Sequence, residues 1–236
     1  LVALAPTAQA APFLQLDIAG GVYDPATERI VTGDDRFTLY AYVNPNPSQA
    51  ASALADTYYL AVAITPQTGP LDITLGSVVI DGTSYDATAD FTYGVPPIER
   101  DGTAAHDGGD LARHGVYETF FLQVSFVVDP TLTSGEYDTA ENAGLGPIAG
   151  NAMYYRGFDI DVSGLDPRAE LHFDLFTVRA GNCPGGPRSG ACNDLDVARF
   201  APFSHSAGTV PAIPEPSAAL IFAAGAFVTR FARRRG

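Results

Sequence analysis

Short stretches rich in β-branched and aromatic residues, each bounded by turn-forming residues, recur along this chain and set its fold class. The 24 glycines and 18 prolines are spread through the 236 residues, and no long stretch before Ser217 has the period of a helix. With 46% hydrophobic residues the chain can bury a core, which excludes a wholly disordered protein. The pattern predicts an all-β chain and argues against an α/β nucleotide-binding fold.

Eight stretches have the composition of β-strands, which is enough for two packed sheets. In residues 37–43 the larger apolar side chains fall on alternate positions, so one face packs inward and the other meets water at least in part. We therefore predict a single antiparallel β-sandwich, jelly-roll or immunoglobulin-like, over residues 11–206. The predicted strands cover residues 13–18, 36–43, 57–65, 73–80, 84–93, 118–128, 153–162 and 170–178.

Two local features refine this prediction. Asp81-Gly82 lies between two predicted strands, and both residue types suit the positive φ angles of a type I′ turn, so we expect a hairpin there. Residues 56–64 and 118–126 match in chemical type at almost every step, which predicts two central strands of similar burial. Without a third copy the similarity does not indicate a solenoid.

The charge of the chain is strongly negative and unevenly distributed. All 13 basic residues are Arg, and four of them lie within residues 230–236, so the rest of the chain carries 9 Arg against 27 Asp and Glu, a net charge of −18. A surface of this sign repels phosphate backbones and attracts divalent cations. We therefore predict no nucleic-acid partner.

The start of the sequence has the features of an export signal. Residues 1–10 are apolar and run into small residues, with an Ala8-x-Ala10 pattern before Ala11. This pattern is typical of the last part of a secretory signal peptide. A frayed terminus that happens to be rich in Ala is the alternative.

A linker predicted over residues 207–213 leads into a segment with three parts. An apolar run over residues 218–228 separates a short Pro- and Glu-containing motif from a cluster of Arg. Read as a helix over residues 217–232, the segment rises about 24 Å. Because the hydrocarbon core is ~30 Å thick, this predicts a marginal, temporary span with the Arg cluster on the cytoplasmic side. The motif is Pro214, Glu215, Pro216 and Ser217, and the basic residues are Arg230, Arg233, Arg234 and Arg235.

This order of motif, short apolar helix and Arg cluster resembles the PEP-CTERM sorting signal of Gram-negative bacteria. The resemblance covers residues 214–236 only. It implies export, transient anchoring in the inner membrane, and handling by an exosortase, a membrane transpeptidase-like enzyme that cuts near the motif. A resemblance in this tail says nothing about residues 11–206.

A second resemblance rests on five stretches of the body: Gly-Val-Tyr-Asp at 21–24, Phe-Thr-Leu-Tyr-Ala at 37–41, Asp-Thr-Tyr-Tyr-Leu-Ala-Val-Ala at 56–63, Phe-Thr-Tyr-Gly at 91–94 and His-Gly-Val-Tyr at 114–117. They resemble a bacterial exported family called choice-of-anchor N protein, in which one extracellular domain occurs with different C-terminal anchors. The resemblance covers about residues 14–178 and implies no activity. The acidic stretch near residues 99–113 departs from that family.

Two cysteines enclose a short loop rich in Gly and Pro. Cys183 and Cys192 are the only cysteines in the sequence. In an exported chain a single pair at this spacing predicts a disulfide bond. A two-thiol metal site is the alternative, but no further ligand lies at zinc spacing.

Two acidic segments are candidate calcium sites, because Ca²⁺ binds oxygen ligands on flexible backbone. Residues 159–170 fit the calcium-loop template, but their flanks alternate as strands, which favours a strand, turn and strand. Residues 98–110 are acidic and Gly-rich, and a solvated loop is the alternative there. Ca²⁺ is accordingly the one cofactor that the sequence suggests. The candidate ligands are Asp159, Asp161, Ser163 and Glu170 in the first segment, and Glu99, Asp101, Asp107 and Asp110 in the second.

Common enzyme signatures are absent from the sequence, including GxSxG, GxGxxG after a strand and a P-loop. We predict a non-catalytic, exported surface or extracellular-matrix protein, with the exosortase and inner membrane as transient partners and exopolysaccharide as a matrix partner. The alternative is a carbohydrate-binding or carbohydrate-cleaving β-sandwich on the same tail, since a glycosidase needs only two suitably placed carboxylates. Asp, Glu and Tyr converging in a cleft would favour this alternative.

Overall fold

The computed structural model describes residues 13–71, 74–96, 117–180 and 195–210, which form a two-layer β structure. Within these residues the chain forms fourteen strands, one short α-helix and one 3-10 turn. The predicted β class is therefore confirmed. The elements are β1 (Leu14–Ile18), β2 (Val22–Asp24), β3 (Arg29–Thr32), β4 (Arg36–Val43), α1 (Ala50–Ala55), β5 (Tyr58–Thr65), β6 (Ser77–Ile80), β7 (Thr83–Asp86), β8 (Thr92–Gly94), β9 (Thr119–Phe126), β10 (Thr133–Ser134), β11 (Met153–Asp161), β12 (Glu170–Ala180), β13 (Leu195–Phe200), the 3-10 turn (Phe203–His205) and β14 (Ala207–Thr209).

The strands form two sheets in which nearly all neighbours run antiparallel. The six-stranded sheet has the order β1-β4-β11-β6-β7, with β10 beside β11. The eight-stranded sheet has the order β2-β3-β14-β12-β5-β9-β8, with β13 beside β12. Strand β14 is antiparallel to β12 but parallel to β3. The chain passes between the layers, because consecutive strands such as β3 and β4 belong to different sheets.

The inner faces of the two sheets share one hydrophobic core. Alternate residues of β4, β5, β11 and β12 point into it. Across the interface the ring of Phe37 meets that of Phe173 at 6.1 Å, and Phe126 meets Phe158 at 5.2 Å, both edge-on. Burial of one such side chain contributes about 1.5–3 kcal/mol, so these facing apolar stripes hold the sheets together.

Most of the predicted strands are present. The prediction over residues 36–43 matches β4 at both ends, and β1, β5, β9, β11 and β12 lie at five other predicted positions. The strand predicted at 84–93 is instead two strands, β7 and β8, which belong to different sheets. Between them the Asp86 carboxylate accepts hydrogen bonds from the backbone N–H groups of Thr88 and Ala89, which turns the chain. The sequence pattern did not predict the short strands β2, β3, β10, β13 and β14.

The predicted hairpin is confirmed. Asp81 and Gly82 have φ angles of 49° and 77°, and the flanking residues Ile80 and Thr83 pair across the turn. Strand β6 covers only the second half of the predicted strand at 73–80. The two stretches of similar sequence form β5 and β9, which pair directly, although β9 is less buried than β5.

The linker predicted over residues 207–213 is wrong at its start. Ala207–Thr209 form the buried strand β14, which lies between β3 and β12. A Cβ atom at Gly208 would lie 2.8 Å from the carbonyl oxygen of Leu171, so the lack of a side chain permits this close approach. The β structure therefore extends past the predicted domain end at residue 206.

Residues 135–150, which belong to the connection between β10 and β11, cover the outer face of the six-stranded sheet over β1. Gln15 and Asp17 point outward from β1, yet both are fully buried beneath this covering segment. The Gln15 amide donates to the carbonyl oxygen of Tyr137 at 2.8 Å and accepts from the N–H of Thr139 at 3.1 Å. Two distant parts of the sequence are thereby joined through buried hydrogen bonds.

Asp17 lies at the centre of this contact. Its carboxylate accepts hydrogen bonds from the N–H groups of Gly144 at 2.7 Å and Gly146 at 3.1 Å, and the Tyr137 hydroxyl lies 3.1 Å away. The hydroxyls of Tyr137 and Tyr42 lie 2.7 Å apart. Burial raises the pKa of Asp17 above its ordinary value, against the lowering effect of these hydrogen bonds. Both carboxylate oxygens of Asp17 thus have partners inside the protein.

The predicted terminal segments lie outside the described residues. They are the signal segment at residues 1–10 and the sorting segment at residues 214–236, with its predicted helix at 217–232. Among the helices of the described ranges, none is long and apolar enough to cross a membrane.

Candidate functional site

A pocket of about 600 Å³ opens on the outer face of the eight-stranded sheet. Its floor includes Thr65 on β5 and Glu170 and His172 on β12, which point away from the core. The turn between β2 and β3, residues 25–28, and the first residue of β3, Arg29, form one wall. Tyr117 also lines the pocket. The volume falls within the usual range for sites that hold small ligands.

An ion pair crosses this pocket. The Arg29 guanidinium on β3 lies 3.5 Å from the Glu170 carboxylate on β12, although β14 separates the two strands. A Cβ atom at Gly208 on β14 would lie 3.0 Å from Nη1 of Arg29, so the guanidinium lies over this glycine. The Arg29 and Glu170 side chains are only 12% and 21% exposed. A strong donor and a strong acceptor are therefore held side by side in a largely enclosed place.

Two polar atoms in the pocket lining have no hydrogen-bond partner among the described residues. They are Nε of Arg29 and Oγ1 of Thr65, both buried. The neighbouring hydroxyl of Thr119 differs, because it donates to the carbonyl oxygen of Ile64 at 2.8 Å and lies 2.9 Å from Oγ1 of Thr68. A buried polar group without a partner costs about 1–3 kcal/mol, so these two atoms retain unused capacity for hydrogen bonding.

Tyr117 and His172 complete the polar lining. Burial raises the pKa of the Tyr117 phenol, the nearby Arg29 charge lowers it and the Glu170 charge raises it, so the hydroxyl stays protonated at neutral pH. Nε2 of His172 lies 3.0 Å from Oδ1 of Asp174, two residues farther along β12. The pocket lining also has apolar surface, which Pro25 and other small and apolar residues contribute.

A second recess of about 660 Å³ lies at the edge of the six-stranded sheet. It has several amide side chains, among them Asn46 and Asn151, which are both exposed, together with the half-buried ring of Tyr154. Asn46 already accepts a hydrogen bond from the Ser48 hydroxyl at 2.7 Å. This recess contains no ion pair comparable with that between Arg29 and Glu170 in the part of the chain described.

The four candidate calcium ligands of residues 159–170 are in a strand, turn and strand, as the flanking pattern favoured. The Asp159 carboxylate accepts from the Thr38 hydroxyl, while Asp161 accepts from the backbone and hydroxyl of Ser163 and from Arg36. Glu170 instead lies in the pocket beside Arg29. The structure does not bring these ligands together: no group of three or more His, Cys, Asp or Glu suited to a metal occurs in the described ranges.

Asp166, in the same turn, also has a partner. Hydrogen bonds from the Arg168 side chain and backbone hold the pKa of Asp166 to about 2. The turn is therefore built from acids that bond to their own neighbours. The remaining predicted site residues lie outside the described residues. They are Glu99, Asp101, Asp107, Asp110, Cys183, Cys192, Pro214, Glu215, Pro216, Ser217, Arg230, Arg233, Arg234 and Arg235.

Of the predicted site residues that the structure describes, only Glu170 lies in the pocket. The sequence did not single out Arg29, Thr65 or Tyr117 as site residues. Tyr117 ends the His-Gly-Val-Tyr stretch at 114–117, but the family resemblance that this stretch carries implies no activity. The available signals were weak: an Arg directly before the apolar residues Ile30 and Val31, and a Gly at 208 in a stretch whose composition favours a linker. The pairing of β3, β14, β12 and β5 brings Arg29, Glu170 and Thr65 together.

Comparison of the chain with protein-family models, with curated proteins and with solved structures found no match.

Proposed function

We propose that this protein is an exported, non-catalytic component of the cell surface or extracellular matrix of a Gram-negative bacterium. Its body is a β-sandwich of the jelly-roll or immunoglobulin-like kind. A signal peptide ending within residues 1–10 directs its export, and an exosortase handles residues 214–236 at the inner membrane. The observation that carries the proposal is the order of Pro-Glu-Pro-Ser motif, apolar run and Arg cluster.

The charged groups of the body support a structural role. Acidic residues in its turns accept hydrogen bonds from their own backbone and neighbouring hydroxyls, which lowers the pKa of Asp24, Asp86 and Asp129. Ion pairs also form at the surface, such as that between Arg156 on β11 and Asp81 in the turn after β6, at 2.6 Å. Acids that stay ionised keep the surface negative and concentrate divalent cations such as Ca²⁺ around it. This arrangement suits a soluble exported domain that works among matrix polymers.

The sorting proposal is tested in the native host by fractionation and mass spectrometry of the mature chain. We expect the released form to lack both end segments, and Glu215→Ala or removal of residues 233–235 to hold the precursor at the inner membrane. Glu141→Ala, an exposed acid of the body, is the control and should leave sorting unchanged. A released form with an intact C-terminus would show that no exosortase processes it.

The non-catalytic part of the proposal has its own test. Two acids, Glu28 and Glu170, line the pocket, and a pair of carboxylates is what a glycosidase uses. We expect no new reducing ends when the protein is incubated with host exopolysaccharide. Release of sugar by the unmodified protein, abolished in both Glu28→Gln and Glu170→Gln, would instead establish a carbohydrate-cleaving enzyme.

A further inference from the structure

We propose that the pocket over Arg29 and Glu170 binds a neutral saccharide unit, with adjacent hydroxyls of the sugar placed on the guanidinium and the carboxylate. The inference goes beyond the sorting proposal and does not depend on it. It rests on the Arg29–Glu170 pair, on two polar atoms that have no partner among the described residues, and on the mixed polar and apolar lining.

The charge balance selects the ligand class. Arg29 and Glu170 lie 3.5 Å apart and neutralise each other, so the pair offers one strong donor beside one strong acceptor without net charge. Glu28, the other acid of the lining, is exposed and adds a negative charge, which disfavours anions further. A hydroxyl can both donate and accept, so two adjacent hydroxyls can donate to Glu170 and accept from Arg29 while the pair stays intact. An anion on Arg29 would leave the Glu170 charge without compensation in a largely enclosed place.

A zwitterion such as a small peptide is the closest competitor. Its carboxylate and ammonium groups would have to separate Arg29 from Glu170, and four charges would then share a pocket in which both side chains are mostly buried. A diol requires no such separation. The net charge of −18 outside residues 230–236 also disfavours acidic ligands, because it repels them before they reach the pocket.

The rest of the lining matches a sugar ring. Thr65 belongs to the lining, and its Oγ1 is buried without a partner among the described residues. Rotation about its χ1 angle would turn this hydroxyl toward a third hydroxyl of the ligand. The Tyr117 hydroxyl is a further donor, and its ring adds to the apolar surface of Pro25 and Pro66. Sugar rings present C–H groups on their faces and hydroxyls on their edges, so apolar walls around a polar floor suit them.

The test uses the full chain, kept in lauryldimethylamine oxide so that the detergent has no sugar headgroup. The labelled protein is applied to an array of neutral oligosaccharides made of hexoses, deoxyhexoses and N-acetylhexosamines, and the best ligand is titrated by calorimetry. We expect saturable binding that weakens about tenfold or more in Glu170→Gln and in Arg29→Gln, which equals the loss of about 1.4 kcal/mol. Tyr117→Phe removes only a hydroxyl and should weaken binding about threefold.

The controls separate this pocket from the second recess. Asn151→Ala alters an exposed amide of that recess and should bind as the unmodified protein does. Circular dichroism and melting temperature check that each variant is folded. If Arg29→Gln does not fold, Tyr117→Phe still tests the proposal. The proposal is overturned if no neutral oligosaccharide binds, or if Glu170→Gln and Tyr117→Phe bind normally. Stronger binding of tetragalacturonate or glycylglycine would also overturn it.

Discussion

The outer faces of the two sheets differ in whether their buried polar atoms have hydrogen-bond partners. On the six-stranded sheet the covering segment, residues 135–150, places donors on both oxygens of Asp17. On the eight-stranded sheet, Arg29 and Thr65 retain buried polar atoms that have no partner within the described residues, and a pocket opens beside them. The first arrangement uses its hydrogen bonds to hold the protein together. The second leaves them available to a ligand.

This difference cannot be read from burial alone. Asp17 is fully buried and the Arg29 side chain is mostly buried. Both carboxylate oxygens of Asp17 have donors, whereas Nε of Arg29 has no partner among the described residues, although the guanidinium pairs with Glu170. A satisfied buried group adds stability, whereas an unsatisfied one lowers it and is retained where it serves another purpose. The comparison predicts that substitutions on the first face act on stability and that those in the pocket act on binding.

The largest effect is expected for Asp17→Ala. The substitution leaves the N–H groups of Gly144 and Gly146 buried without an acceptor, and we expect the free energy of unfolding to fall by about 3–5 kcal/mol. Asp159→Ala, on the same sheet but exposed, is the control and should cost no more than about 0.5 kcal/mol. Urea denaturation measures both. Equal losses would show that the covering segment is not held through Asp17.

A smaller loss is expected for Gly144→Ala, which tests how closely the covering segment approaches the turn after β1. Gly144 has a φ angle of 84°, and a Cβ atom there would lie 2.4 Å from the carbonyl oxygen of Gly21. We expect a loss of about 2–3 kcal/mol from backbone strain and steric clash together. Gly82→Ala has a similar φ angle of 77° but nothing within 4 Å, so it should cost only about 1 kcal/mol. Similar melting temperatures for the two variants would contradict the close approach.

The pH dependence of stability in Asp17→Asn tests whether burial or hydrogen bonding has the larger effect on the pKa of Asp17. Burial is the main cause of the raised pKa of Asp17 in the folded protein, so its protonated form is favoured there. The resulting stabilisation is fully present below the ordinary value of 3.8 and is lost as the pH rises through the folded pKa. Relative to the unmodified protein, Asp17→Asn should therefore be more destabilised at pH 3 than at pH 7. A deficit that grows toward pH 7 would mean that the hydrogen bonds outweigh burial.

The smallest effect is expected in the pocket, from a pair of matched substitutions. Thr65→Val replaces a hydroxyl that has no partner among the described residues, so stability should stay unchanged or rise by up to about 1 kcal/mol. Thr119→Val removes a hydroxyl that donates to the Ile64 carbonyl oxygen and should cost about 1–2 kcal/mol. Denaturant titration measures the free energy of unfolding of both variants. A loss of about 1 kcal/mol or more for Thr65→Val, the cost of one hydrogen bond, would reveal a partner for this hydroxyl, which would then not be available to a ligand.

The β class, most of the strands and the hairpin at Asp81-Gly82 follow from the sequence alone. These features depend on neighbouring residues: alternation of apolar side chains, β-branched and aromatic composition, and turn residues that accept positive φ angles. The same local pattern distinguished a strand, turn and strand from a calcium loop at residues 159–170. Local signals of this kind identified most of the strands, but they did not show that residues 84–93 divide between the two sheets.

Only the tertiary structure decided which strands pair and which buried polar groups find partners. Gly208 lies in a strand rather than a linker because β3 and β12 accept it between them, and that pairing brings Arg29 to Glu170. Likewise, Asp17 has donors because a segment more than a hundred positions away in sequence folds over it. Strand pairing and burial are set by contacts between distant segments, so no local pattern carries them. The pocket and the covered face are both products of those distant contacts.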